Sequence, residues 1–210
     1  MGEIRLFPGL LSPPAGLEFF SHLPSEEGLH LVAFAEGALS ALKVAFGEEV
    51  RSLVLLSPIL RKDPLLSAKV AALRFGLEKG GLEGFARVGR AFFFGPQSVG
   101  SEEIFTLWRE GLSEEGVRAW LALLEGLSDE RRWLRGTEAR TLVIQGAWDV
   151  FTPPQYGKEV VDFAKGEALR FALEGAGHLV LWEAREEVVD LVADFLTGEA
   201  FRPLPGGLAL

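Results

Sequence analysis

Leu29-His30-Leu31-Val32-Ala33-Phe34-Ala35-Glu36-Gly37-Ala38 is an apolar run that breaks sharply into a glutamate and a glycine. Its first six residues show no polar–apolar alternation, the pattern of a strand covered on both faces. From Gly37 the composition turns helical (Ala38, Leu39, Ala41, Leu42) as far as about Phe46, with Gly47 expected at the C′ position. A strand that passes straight into a helix crosses its own backbone closely, so the turn needs small residues at its two ends. Ala33 and Gly37 meet that need. The residue between them, Ala35, is then held exposed at the top of the sheet beside the N-terminus of the next helix. That position suits a nucleophile, and alanine offers none.

The same alternation extends outward from this stretch. Ile4 to Phe7 reads as a short strand stopped by Pro8-Gly9, followed by a loop to Pro14 and a helical stretch from Ala15 to Leu23. Val50 to Leu56 is a second buried strand, ended by Ser57-Pro58. Residues 61–138 read as helices only. Asp63-Pro64 is an N-cap followed by proline, Leu66, Val70, Leu73 and Leu77 form one stripe, and Phe85, Val88 and Phe92 mark a second helix. Ser101 and Ser113 each cap a further helix. Strand Thr141–Gln145, a helix near Gln155–Lys165, strand Leu169–Leu173 and an amphipathic helix near Ala184–Leu196 complete the order. Strands alternating with helices predict an α/β fold with a parallel sheet and right-handed crossovers. The expected division is a core of 1–60 and 139–198, a helical insertion of 61–138 and a Pro/Gly-rich C-terminal tail of 199–210.

Composition bounds the partners. The 210 residues suffice for one substantial core, and the formal charge of −9 with scattered Lys and Arg argues against nucleic acid and anionic membrane. Cysteine is absent, which excludes disulfides and a thiolate nucleophile. Asparagine is absent too, Met occurs once, and Arg outnumbers Lys, a composition expected of a thermophile. No apolar run approaches the ~20 residues of a membrane span, and Met1 to Leu6 do not begin a signal segment, so a cytoplasmic location is expected. The three histidines stand apart with no clustered carboxylates, so no metal is expected, and Pro8-Gly9-Leu10-Leu11 is not a phosphate-binding loop, so neither is a nucleotide cofactor.

Three loops leave the C-terminal ends of buried strands, where open parallel sheets place their ligands. They are Ala33-Phe34-Ala35-Glu36-Gly37, Gly146-Ala147-Trp148-Asp149-Val150-Phe151-Thr152-Pro153, and Gly175-Ala176-Gly177-His178. Nucleophile position, acid and histidine in this order, with a helical insertion between the first two, resemble the α/β-hydrolase superfamily. The closest likeness is to its lidded esterase, lactonase and haloperoxidase-like branch. The resemblance implies that Asp149 orients His178, that His178 is the general base, and that the N–H groups of Glu36 and of Leu10, beside Gly9, form an oxyanion hole. The sequence departs from the family at Ala35, where the serine is missing, and at Phe34, where histidine is usual.

Only about twenty-five residues separate Gly9 from Phe34, where the family fits a helix, a strand and a second helix. A reduced α/β-hydrolase fold is therefore expected, with about five parallel strands in sequential order and most helices on one face. The other face would be covered by the last helix alone, leaving apolar surface for a homodimer to hide. The expected function is that of a non-hydrolytic homologue binding a small apolar carbonyl or acid-like ligand under its lid. Asp149 and His178 are either a relic or a working proton-transfer pair. The alternative is a carboxylic ester or lactone hydrolase whose serine at position 35 was replaced by alanine. As substitute nucleophiles, Ser57 reads equally as a strand terminator and Ser12 as an ordinary loop residue, Glu36 contributes its backbone, and His22 and His30 read as surface or strand-edge residues. Most insertion aromatics (Phe92, Phe93, Phe94, Phe105, Trp108, Trp120, Trp133) read as its own core, with a few lining a pocket.

Overall fold

Five strands run parallel in the order in which the chain makes them: β1 (Glu3–Phe7), β2 (Leu29–Phe34), β3 (Ser52–Leu56), β4 (Arg140–Gly146) and β5 (Ala168–Leu173). This is the reduced α/β-hydrolase sheet with flanking helices. The computed structural model describes residues 2–12, 15–199 and 208–209. Between the strands lie α1 (Ala15–Glu18, continued by a 3-10 turn over Phe19–His22), α2 (Gly37–Gly47) and α6 (Pro154–Phe163). The chain between β3 and β4 holds α3 (Pro64–Phe93), α4 (Glu102–Glu110), α5 (Glu114–Glu125) and a 3-10 segment, Arg131–Gly136, with no strand. After β5 come α7 (Val180–Glu183), a short helix that the sequence pattern did not signal, and α8 (Arg185–Thr197).

Alternate residues of each strand serve opposite faces. Leu31, Ala33, Leu53, Leu55 and Val143 pack with Ala38, Ala41 and Leu42 of α2, Val160 of α6 and Leu134. Val32, Phe34, Val54, Leu56, Leu142 and Ile144 join the larger core with Val188, Leu191, Val192 and Phe195 of α8 and the apolar faces of α3, α4 and α5. Each fully buried Leu, Val or Phe contributes about 1.5–3 kcal/mol relative to exposure.

Two expectations are corrected. The second face is not left bare, because Leu17 and Phe20, both 0% exposed, cover it alongside α8. α8 therefore does not cover that face alone. The cause is topological: α1 lies on the opposite face from α2 and α6 while the strands step in one direction, so the β1–β2 connection has the opposite hand to the others. In the Pro/Gly-rich tail, β6 (Leu208–Ala209) pairs antiparallel with Phe171 and Ala172; the rest of the tail from 200 onward lies outside the described residues. Finally, Gly47 is the last helical residue rather than a left-handed C′ glycine, and Glu48 leaves the helix in extended conformation.

The insertion follows its capping signals. Asp63 accepts from the Leu66 N–H at 2.8 Å, and Ser101 and Ser113 accept from Ile104 and Gly116 at 3.3 and 3.1 Å. Both roots of the insertion converge on Glu159 of α6, which binds Arg61 at 2.7 Å and Arg131 at 3.0 Å. The two expected helices within α3 meet at Gly81, whose φ of 60° and ψ of −152° are open to glycine alone. Replacing Gly81 by Ala meets no neighbouring atom, so the expected loss of about 1–3 kcal/mol is pure backbone strain. Gly80, also free of neighbours but without a positive φ, should gain about 0.5–1 kcal/mol as Ala. Urea denaturation of the two variants checks the opposite signs.

Candidate active site

The turn after β2 has the shape that its small residues require. Ala35 has φ 51°, a left-handed conformation rare for alanine, held by its N–H to Leu56 O at 2.9 Å and its carbonyl accepting from Ile59 N at 3.2 Å. At Gly37 a Cβ would lie 2.1 Å from the Phe7 carbonyl oxygen, so the α2 start and the β1 end touch backbone to backbone. Ala35 is 4% exposed and lines a cavity of about 10 Å³, the room of a single water, together with Gly9, Phe34, Glu36 and His178. Leu11, Phe93, Trp108, Trp120 and Leu179 complete its wall.

Asp149 and His178 come together as the sequence order suggests. His178 Nδ1 lies 2.9 Å from Asp149 Oδ2, and both residues are buried. Thr152 completes the group. Its N–H donates to Asp149 Oδ1 at 2.7 Å, its hydroxyl donates to Oδ2 at 2.7 Å, and the same oxygen lies 3.0 Å from His178 Nδ1. This network fixes the proton on Nδ1 and leaves Nε2 for chemistry. Phe34, Phe93 and Phe151 surround the imidazole, with ring centroids 5.8, 5.8 and 5.1 Å away.

Two charged residues that support these loops were not singled out from the sequence. Lys69 of α3 donates to the carbonyls of Val150 and, at 3.1 Å, Phe151, and so pins the loop that carries Asp149. Burial lowers its pKa, against the pull of Asp149 and Asp63. Its signal was there, because position 69 falls three residues after Leu66 on the buried stripe. Glu183 accepts from Gly95 N–H at 2.6 Å and Gly177 N–H at 2.8 Å, tying the end of α3 to the histidine loop; burial raises its pKa. Thr152, three residues after Asp149, was signalled by Asp-x-x-Thr spacing, a common side-chain-to-backbone pattern.

Glu36 departs furthest from expectation. The sequence assigned a role to its backbone only, yet the residue is 5% exposed and its side chain turns back onto the Leu10 amide. Its carboxylate accepts hydrogen bonds from the Leu10 N–H, from its own N–H and from Trp120 Nε1 at 3.0 Å. Gly9 makes room for it, since a Cβ there would sit 3.1 Å from Glu36 Oε1. Burial raises the Glu36 pKa, and the three donors and the neighbouring imidazole of His178 pull it down less strongly.

The other candidates stay apart. Ser57, with φ 44°, is fully buried and Ser12 is 7% exposed; among the described residues neither Oγ has a partner, and neither residue lines the cavity. His30 is corrected from a surface position: it is 0% exposed, with Nε2 3.0 Å from Glu26 O. His22 is exposed. Of the insertion aromatics, Phe93, Trp108 and Trp120 line the cavity, while Trp133 packs edge-on against Phe46 on the far side of the sheet. Among the described residues no three His, Asp or Glu side chains converge as a metal would require, and no helix is long and apolar enough to cross a membrane.

No protein-family model and no curated protein matches the sequence. Solved structures do. An esterase from Thermogutta terrifontis is 19% identical with a TM-score of 0.68, covering 80% of this chain and 64% of its own. An α/β-hydrolase enzyme from a Medee basin deep-sea metagenome library is 14% identical with a TM-score of 0.72, covering 96% and 91%. The enol-lactonase of Burkholderia xenovorans is 19% identical with a TM-score of 0.66, covering 80% and 65%. This chain thus spans less than two thirds of the esterase and the lactonase.

A carboxyl group whose folded pKa is raised stabilises the fold most below its unfolded pKa, and that contribution disappears as pH rises through the folded value. The stability of Glu36→Gln relative to the unmodified protein should therefore rise between pH 5 and pH 9. Glu183 titrates in both proteins and cancels in the difference. Paired urea melts across this range check the sign.

Proposed function

Given that the chain has the α/β-hydrolase fold, we propose that it is a non-hydrolytic relative of the esterases and lactonases, binding a small apolar carbonyl or acid-like ligand beneath the helical insertion. One observation carries this reading: the two amides that would stabilise a tetrahedral oxyanion already hold the Glu36 carboxylate, beside an Ala35 methyl that cannot attack a carbonyl. Acyl transfer needs both a nucleophile and a vacant oxyanion site. This chain lacks the first and fills the second.

The binding wall is apolar and aromatic, which favours a ligand with little charge. With room for one water only, the cavity admits such a ligand when the insertion moves and carries Phe93, Trp108 and Trp120 with it, so the insertion acts as a lid. The retained activity is proton transfer by His178, whose Nδ1 is committed to Asp149 and Thr152.

A serine at position 35 alone should not restore an esterase. Ala35→Ser is expected to leave p-nitrophenyl butyrate hydrolysis at the buffer rate. Ala35→Ser combined with Glu36→Ala should exceed the single variant by about 10²-fold, the usual value of an oxyanion donor. A fully active single variant would sink the non-hydrolytic reading.

A further inference from the structure

Glu36 is the one buried carboxyl group lining the cavity, and the machinery of acyl transfer has no use for it. Three N–H donors hold it, and burial opposes its charge. The donors favour its ionised form and burial its neutral one. His178 lines the same cavity and is close enough to act on it electrostatically. The remaining surroundings carry little charge. From the loop after β1 come Gly9, Leu11 and the Leu10 amide; α3 brings Phe93, α4 brings Trp108 and α5 brings Trp120. Asp149 stands behind the imidazole, and Lys69 faces the Asp149 loop.

A second feature independently points to a ligand with an acceptor atom. Trp108 is 0% exposed, lines the cavity, and its Nε1–H has no hydrogen-bond partner among the described residues. A buried, unpaired donor is unfavourable until an acceptor arrives. A carbonyl oxygen supplies one without adding charge next to Glu36 and Asp149.

We propose that Glu36 and His178 form an acid–base pair that interconverts the keto and enol forms of a small, neutral, apolar ketone. His178 Nε2 takes a proton from the carbon beside the carbonyl. The C–H electron pair becomes the C=C bond, and the carbonyl oxygen takes the proton of the Glu36 carboxyl group. The enol and a Glu36 carboxylate beside a protonated His178 result. The reverse step returns both protons, and no oxidant or further reactant is needed. The Ala35 methyl is part of this assignment, because a serine there would attack the carbonyl carbon instead. The pairing rests on the ligand and proton-transfer reading above and adds the acid, the reaction and the substrate class.

The test uses phenylacetone in D₂O, with loss of its α-protons followed by NMR and its binding followed separately by thermal shift. The intact protein should accelerate exchange over buffer by about 10²-fold or more. The rate should fall on the alkaline side as Glu36 loses its proton. Glu36→Gln should abolish the acceleration while binding persists. Trp120→Phe removes one donor to the carboxylate and should move the alkaline fall to higher pH. Undiminished exchange in Glu36→Gln, or an unmoved alkaline limb in Trp120→Phe, overturns the pair. Binding of phenylacetone without exchange overturns the pair too, but leaves the ligand-binding reading standing; absence of both removes the two together.

Discussion

The backbone reversal at Ala35 is the constraint on which the site depends. An alanine in the left-handed region is strained by about 1–2 kcal/mol, and here the strain is held by bonds to Leu56 and Ile59 and by the Gly37–Phe7 contact. That turn places a methyl group, an amide and the root of a carboxylate side chain at the head of α2. The two loops that supply Asp149 and His178 are then bound to the sheet and to the insertion, so the cavity between them has little freedom to widen unless the insertion moves.

The electrostatics follow from the same turn. Backbone amides at a helix N-terminus favour negative charge, whether it appears only in a transition state or is permanent. In this protein a carboxyl group from within the chain takes that place, on the residue that also provides one of the donors. Trp120 then ties the insertion to the carboxylate, so movement of the insertion and ionisation of Glu36 are linked. Phe93 and Phe151 pack against the imidazole, and Trp120 stacks on Phe151 behind them, so the polar contacts of His178 lie in apolar surroundings that raise their value.

Much of this was legible from local pattern. The strand Leu29–Phe34 was read residue for residue, and the caps at Asp63, Ser101 and Ser113 and the Ala35, Asp149, His178 order were also visible. These are signals carried by residues within a turn or two of each other. Lys69 and Thr152 had local signatures that went unused: a lysine on an apolar stripe and a threonine three residues after a buried aspartate. The short α7 and the burial of His30 had none.

Sequence alone thus determined the five parallel strands, the longer helices and the order of the chemical groups, because hydrophobic period, capping and turn chemistry act over a few residues. Tertiary structure decided which face α1 covers, and with it the fate of the apolar surface, because a short connection lies on whichever side its strands leave open. It also decided the direction of the Glu36 side chain. Two of the donors that hold it lie 26 residues before it and 84 residues after it, a separation over which no local pattern reaches.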